Sequence, residues 1–288
     1  MAQSGSALEW GSRGRWFESS RSDIYNLGIS YLVPIFCIFY YDVFILLPTI
    51  YMIRYQALIP AYNAEKTISR VISDLLAIKS KPDTITVVDD GSTDKTVEKC
   101  KAFDVHLIRN VSNKGKGNAL KTGFRAILEN HDTEYILCMD ADLQHPVASI
   151  TDFLEKAEND HSKFIIGARD RSIKLMPFPR IFSNAVTSFV LSQLIGQTIK
   201  DSQCGYRLIH KDIIKNIEFS EDGYQFESEM ILKIAKQNVA IDSVPIPTIY
   251  NSERSHIGHI KDTLLFIRLV LKEIKNRIKW YFRNKSKT

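Results

Sequence analysis

The apolar positions of this chain fall into two regimes. Residues 24–53, IYNLGISYLVPIFCIFYYDVFILLPTIYMI, form an almost unbroken apolar run with one charge, Asp42. From Met52 onward, short apolar runs alternate with stretches of helical period. Tyr55–Ile59 predicts a strand stopped by Pro60. Glu65–Ile78 carries Ile68, Val71, Ile72, Leu75 and Leu76 at the spacing of one helix face. Thr84–Val88 is β-branched and predicts a second strand, ending at Asp89-Asp90-Gly91. Thr93–Cys100 suits a short helix capped by Ser92 or Thr93, with Asp94 as a further candidate cap. Val105–Ile108 is a third strand and Tyr135–Met139 a fourth. Between them Gly117–Glu129 is a helix with Leu120, Phe124, Ile127 and Leu128 on one side. Pro146–Asn159 predicts another helix and Phe164–Ile166 another strand. This alternation predicts an α/β fold, a doubly wound and mostly parallel sheet with helices on both faces. Such sheets bind ligands beyond the carboxyl ends of their strands. The polar segments Pro60–Asn63, Asp89–Asp94 and Asp140–Gln144 fall there.

The first 51 residues follow neither period. Residues 1–23 are polar, and the run that follows exceeds the ~20 apolar residues needed to cross a bilayer. One reading is a signal anchor. Asp42 would cost ~3 kcal/mol near the bilayer centre, and Pro34 and Pro48 interrupt the helix, although membrane helices tolerate proline. The other reading is upstream sequence translated as protein. Trp16-Phe17-Glu18-Ser19 is what a TTCGAATCC-type T-arm of a tRNA gene yields in one frame, and Met52 then becomes the initiator. The expected organisation is a non-catalytic N-terminal extension at 1–51, an α/β domain at 52–253, and a basic amphipathic helix with tail at 254–288.

Composition narrows the class. With 44% hydrophobic and 25% charged residues, 13 Gly and 9 Pro among 288, the chain is not disordered, collagenous or disulfide-stapled. Cys37, Cys100, Cys138 and Cys204 form no CxxC pair, so they read as reduced thiols of a cytosolic protein. A formal net charge of +5 is too mild to indicate nucleic acid.

Carboxylates carry the chemistry. In Asp140-Ala141-Asp142-Leu143-Gln144, alternate side chains of an extended segment point the same way, so Asp140, Asp142 and Gln144 converge. Two carboxylates and an amide oxygen suit a hard cation, Mg²⁺ or Mn²⁺, which would neutralise a diphosphate. A lone pair of carboxylates at this spacing is common, so taken alone the segment reads more readily as a solvated turn before a helix. Asp89-Asp90-Gly91-Ser92-Thr93-Asp94 offers acceptors to a base or ribose, or forms an Asx turn. Asn113-Lys114-Gly115-Lys116-Gly117 places lysines at a helix start, where phosphate is favoured. Neither a P-loop nor a dinucleotide fingerprint is present.

The order of Pro60-Ala61-Tyr62-Asn63, DDGSTD at 89–94, NKGKGNAL at 113–120 and DADLQHP at 140–146 resembles the inverting family 2 glycosyltransferases of GT-A (nucleotide-diphospho-sugar transferase) fold. Gly167-Ala168-Arg169, Pro179-Arg180-Ile181-Phe182-Ser183-Asn184 and Asp201-Ser202-Gln203-Cys204-Gly205-Tyr206-Arg207 are similar to its dolichyl-phosphate mannose synthase and polyprenyl-phosphate branch. The resemblance runs from about Met52 to about Phe266. It implies donor contacts from Pro60, Tyr62, Asn63, Asp89, Asp90, Lys116, Asp140 and Ala141, with Asp89 reading the nucleoside. It implies a metal on Asp140, Asp142 and Gln144, and acceptor-phosphate contacts from Arg180, Ser183 and Arg254. Asp142, Arg169 and Glu227 are the implied catalytic residues. Guanidinium groups suit the phosphate role because they bind phosphate bidentately.

The implied reaction is an in-line displacement at the anomeric carbon of a GDP-mannose- or UDP-glucose-type donor. A polyprenyl phosphate acceptor is already anionic and needs no strong base. A sugar hydroxyl acceptor, as in cell-envelope polysaccharide or glycolipid synthesis, needs one. Glu227 and Glu229 are the candidates, with Glu227 preferred. The QxxRW motif of processive members is absent. A sugar-phosphate nucleotidyltransferase is the rival of another reaction class, but Pro60-Ala61-Tyr62-Asn63 stands where its glycine-rich loop belongs.

From Arg254 to the end there are ten basic and two acidic residues. Lys261, Arg268, Lys272, Lys275 and Lys279 form a basic stripe beside Leu264, Leu265, Ile267, Leu271, Ile274 and Ile278. Such a helix suits an anionic membrane surface, and equally an ordinary core-facing helix with a solvated tail. The expected place of action is the cytoplasmic face of the membrane, as a peripheral protein or with a membrane-protein partner. It becomes integral if residues 24–53 span the bilayer.

Overall fold

A computed structural model describes residues 53–129, 133–170, 178–249 and 259–285. The expectations for residues 1–51 and for Arg254 lie outside the described residues. The strands are β1 (Tyr55–Ala61), β2 (Thr84–Asp89), β3 (His106–Arg109), β4 (Tyr135–Cys138), β5 (Phe164–Arg169), β6 (Arg207–His210) and β7 (Asp242–Ile246). The helices are α1 (Ile68–Ala77), α2 (Thr96–Cys100), α3 (Lys116–Leu128), α4 (Ile150–Asn159), α5 (Phe178–Ile195), α6 (Lys211–Ile214), α7 (Phe226–Ala235) and α8 (His259–Lys285).

The strands form one sheet in the order β3-β2-β1-β4-β6-β5-β7. Four of its pairings are parallel, and β6 runs antiparallel to both β4 and β5. The apolar runs of the sequence are the central strands, because a parallel strand covered on both faces needs apolar residues at every position. Ala57, Leu58 and Ile59 of β1 have no exposed surface. Phe153, Phe164 and Phe226 are likewise fully buried, and each such ring stabilises the fold by roughly 1.5–3 kcal/mol.

Three local expectations change. Pro60 does not stop β1, which runs to Ala61 paired with Asp89. Pairing with β4 ends at Leu58 opposite Cys138, so by Pro60 only β2 is alongside and a missing donor is tolerated. The helix expected at Thr93 begins at Thr96. Asp94, rather than Ser92 or Thr93, accepts the Thr96 N–H at 2.9 Å, and its other oxygen accepts the Glu65 N–H at 3.0 Å. That second bond ties the DDGSTD turn to the loop after β1. The DADLQ segment is a turn, not an extended strand end. Leu143 has φ 62°, and Asp142 Oδ1 accepts the Gln144 N–H at 3.0 Å. The β4–β6 ladder ends at Cys138 opposite Arg207, so nothing holds the backbone extended beyond it.

The direction of β6 matters for the site. Its start, not its end, lies at the edge where β1, β2, β4 and β5 finish. The segment 201–206 therefore joins the Pro60, Asp89, Asp140 and Arg169 segments along one rim.

Candidate active site

The rim holds a cluster of opposite charges. Lys116 opens α3, and its Nζ stands 2.7 Å from Asp140 Oδ1 and 2.7 Å from Glu227 Oε1. Its position is set by the backbone. Gly115 has φ 100°, a conformation that favours glycine, and a Cβ there would lie 2.6 Å from the Asp222 carbonyl. Asp90 accepts the Gly115 N–H at 2.7 Å and the Lys114 N–H at 3.1 Å, which fixes where the helix starts. The ammonium is held well above its ordinary range: burial opposes the charge, but Asp140 and Glu227 outweigh it.

Asp140 and Asp142 differ in environment. Burial disfavours charge on Asp140, but the Lys116 ammonium holds its carboxyl below the usual range. Burial and the charge of Asp140 push Asp142 above it. His145 accepts the Asp140 N–H at Nδ1, 3.0 Å away, so its own proton sits on Nε2. The imidazole stacks on Tyr206 with centroids 4.8 Å apart, and burial lowers it to about 4, keeping it neutral.

Arg169 ends β5 and makes a fork with Asp201, Nε to Oδ2 at 2.7 Å and NH2 to Oδ1 at 3.0 Å. Asn184 Nδ2 adds a third bond to Asp201 at 2.8 Å. Burial would raise the Asp201 carboxyl, but the Arg169 bonds and Asn184 hold it below the usual range. A lowered native value means that the unfolded chain binds more protons. This stabilisation is therefore complete above about pH 4 and is lost as pH falls through the native value. Asp201→Asn is expected to lower stability at pH 7 by about 3–5 kcal/mol, because it leaves the buried Arg169 charge uncompensated. It should also flatten the loss below pH 4, as measured by melting curves from pH 3 to 7.

A cavity of 1320 Å³ opens over this rim. It gathers Pro60, Ala61, Tyr62, Asn63, Asp90, Lys116, Asp140, Ala141, Asp142, Gln144, Arg169, Arg180, Ser183 and Glu227 on its walls. Asp89, the expected nucleoside reader, is not among them. It has no exposed surface; its Oδ1 accepts the Ser92 N–H at 3.2 Å, and Arg109 Nε lies 3.4 Å from Oδ2 without a hydrogen bond. The neighbouring Asp90 faces the cavity instead. Glu229 also points elsewhere, accepting from Ser220 and Glu221. A smaller open depression of 610 Å³, between Glu221 and the basic face of α8, holds none of the motif residues.

Sequence reasoning gave no role to His145, Asp201, Tyr224, Gln225 or Asp262. His145 and Asp201 lie inside the quoted DADLQHP and DSQCGYR segments, which was the available signal. Tyr224, Gln225 and the α8 residues Asp262, Phe266, Ile267 and Val270 reach the cavity only through tertiary packing. Gln225 is buried on the wall with Oε1 lacking a hydrogen-bond partner.

Among the described residues, no three His, Cys, Asp or Glu side chains are grouped to hold a metal ion. Asp140 and Asp142 supply two carboxylates, and the Gln144 side chain lines the same wall. This donor set is all oxygen. It fits a hard divalent cation.

The chain is similar to proteins of known activity. The description "Glycosyl transferase family 2" matches residues 57–218. A UDP-N-acetylglucosamine–dolichyl-phosphate N-acetylglucosaminyltransferase of Methanococcus voltae is 31% identical over 215 residues, covering 67% of this chain and 84% of the relative. A dolichol-phosphate mannosyltransferase of Pyrococcus furiosus is 26% identical over 237 residues, covering 79% of this chain and 64% of the relative. Glucosyl-3-phosphoglycerate synthase from Mycobacterium tuberculosis, solved with Mn²⁺, UDP and glucosyl-3-phosphoglycerate, aligns with TM-score 0.58 at 19% identity, covering 78% of this chain and 79% of that one. That likeness speaks for the fold alone. With a family match over more than half of its length, the chain belongs to glycosyl transferase family 2 and is a glycosyltransferase of GT-A-like fold.

Proposed function

We propose that the protein transfers a hexose, with inversion, from a nucleotide sugar to a polyprenyl phosphate at the cytoplasmic membrane face. One observation carries this reading: a single cavity wall combines two chemistries. Asp140, Asp142 and the 60–63 and 90 segments suit a metal-bound nucleoside diphosphate. Arg180 and Ser183, with apolar side chains of α5 and α8 on the same wall, suit a phosphate on a hydrocarbon tail. The dolichyl-phosphate relatives named above support it.

Asp140 and Asp142, with Gln144 beside them, would hold Mg²⁺ or Mn²⁺. When bound, that ion supplies Lewis-acid stabilisation of the leaving diphosphate. Asp90 and Asn63 shape the nucleoside end. Asn63 Oδ1 accepts the Thr93 N–H at 2.9 Å, and its own N–H donates to Ser92 at 2.8 Å, which joins the first two rim segments. Arg169, oriented by Asp201, and Arg180 face the phosphate of the acceptor. Glu227 is not placed as a free base. Its Oε1 meets Lys116 at 2.7 Å, and its Oε2 lies 3.8 Å from the Arg207 guanidinium. An anionic acceptor needs no such base, whereas a sugar hydroxyl would. Arg254 remains an expected acceptor contact on the sequence alone.

Membrane association belongs to the same proposal. No helix among the described residues is long and apolar enough to cross a bilayer. On α8, Leu264, Ile267, Leu271, Ile278 and Phe282 are exposed beside Arg268, Lys272 and Lys275. On α5, Phe178, Phe182, Val186 and Phe189 are exposed at steps of 4, 4 and 3, one helix face. Both helices line the cavity, so exposed apolar side chains stand beside it on two elements, one of them also basic.

The test is donor turnover by the full chain with Mg²⁺ or Mn²⁺, with GDP-mannose, UDP-glucose and UDP-N-acetylglucosamine offered in turn, with and without a polyprenyl phosphate. Nucleoside diphosphate release is expected to depend on the lipid and to give a chloroform-soluble sugar. Turnover that ignores the lipid but responds to a sugar acceptor would move the acceptor to a hydroxyl.

A further inference from the structure

Lys116 already occupies one of the two DADLQ carboxylates. Its ammonium stands 2.7 Å from Asp140 Oδ1 while also holding Glu227 at 2.7 Å. The contact is built into the fold. Gly115 and the Asp90 bonds fix the start of α3, and the Asp140 turn is fixed by His145. Gly205 closes the third side: a Cβ there would lie 2.7 Å from one Asp140 oxygen and 2.9 Å from Lys116 Nζ. An ammonium and a divalent cation against the same carboxylate repel each other strongly in so shielded a place.

We propose that Lys116 is a resident counter-cation that keeps divalent metal off Asp140 until a nucleoside diphosphate arrives. The diphosphate brings the negative charge that receives the ammonium, and Asp140 is released to the metal. The inference rests on the metal-dependent donor reading above. Its consequence is that metal and nucleoside diphosphate load together, each raising the affinity for the other by the same factor. Metal alone binds weakly because it must displace an ion pair without replacing its charge.

The experiment is Mn²⁺ titration followed by electron paramagnetic resonance on the full chain. Mn²⁺ is added alone, with UDP and with GDP, to the wild type, Lys116→Met and Lys116→Arg. The wild type is expected to bind Mn²⁺ at least tenfold more tightly with one of the two nucleotides than without. Lys116→Met should bind Mn²⁺ alone at least tenfold more tightly than the wild type, and nucleotide should then add less. Lys116→Arg, which keeps the charge, should behave as the wild type. Mn²⁺ should also raise the melting temperature of Lys116→Met more than that of the wild type, which checks folding and binding together. Nucleotide-dependent Mn²⁺ binding with unchanged metal-alone affinity in Lys116→Met would overturn the counter-cation role and leave the metal site standing. Wild-type binding without nucleotide cooperativity overturns the role as well, whatever the variants do. No Mn²⁺ binding by any protein in any condition overturns both this role and the metal assignment.

Discussion

Asp142→Asn is expected to lower transfer by at least ~10³-fold, about 4 kcal/mol of transition-state stabilisation, while the donor-free protein melts no lower than the wild type at neutral pH. The two halves of this result have one cause. Burial and the neighbouring Asp140 charge raise the Asp142 carboxyl above its ordinary range. For a raised carboxyl, the native state binds the proton more tightly than the unfolded chain does. The contribution of Asp142 to stability is therefore most favourable below about pH 4 and falls as pH rises toward the native value. At pH 7 burial and the Asp140 charge make the ionised group a net cost. Asparagine removes that cost and keeps the shape, including an oxygen for the Gln144 N–H. Initial rates and melting curves on the same preparation measure both effects. Activity near the wild-type level would remove Asp142 from the metal site.

Arg207→Ala is expected to cost about 3–5 kcal/mol of stability, a drop in melting temperature of roughly 10 °C. Arg207 heads the large fully buried side chains, and its guanidinium donates to three backbone carbonyls. Nε bonds Cys204 O at 2.8 Å, NH1 bonds Glu227 O at 2.9 Å, and NH2 bonds Ser202 O at 2.9 Å. Truncation strands all three carbonyls and leaves a void. The same bonds join the 201–206 segment to the start of α7, so Asp201 and Glu227 lose their common support. Arg207→Lys should recover little, because one ammonium cannot span three fixed acceptors. A melting temperature within about 3 °C of the wild type would show that the carbonyls find other partners.

The order of strands and helices was legible because each buried strand is a short apolar run and each surface helix carries a stripe. Leu58, Val87 and Leu137 can be placed inside without knowing what touches them. The motif segments were legible for a related reason. Polar residues that interrupt apolar strands at their carboxyl ends must lie on one rim of a parallel sheet, which placed Asn63, Asp90 and Asp140 together before any coordinates.

Side-chain direction was not legible, because it depends on partners far away in sequence. Asp89 and Asp90 are adjacent and alike, yet one is sealed in the turn and the other faces the cavity; the 114–115 backbone, folded against Asp90, decides which. Glu227 and Glu229 share a helix turn, and only the positions of Lys116 and Ser220 tell them apart. The extended DADLQ expectation failed because a strand end stays extended only while a neighbour pairs with it, and the β4–β6 ladder ends where Cys138 faces Arg207, the first residue of β6. The same antiparallel strand brings Asp201 to Arg169. Fold class, the rim and the residue types that meet there follow from local periodicity and so are written in the chain itself. Which carboxylate bears the Lys116 ion pair, which one burial raises, and which side chains line the cavity depend on packing, since charge and burial are set by contacts such as Lys116 with Glu227, 111 residues apart.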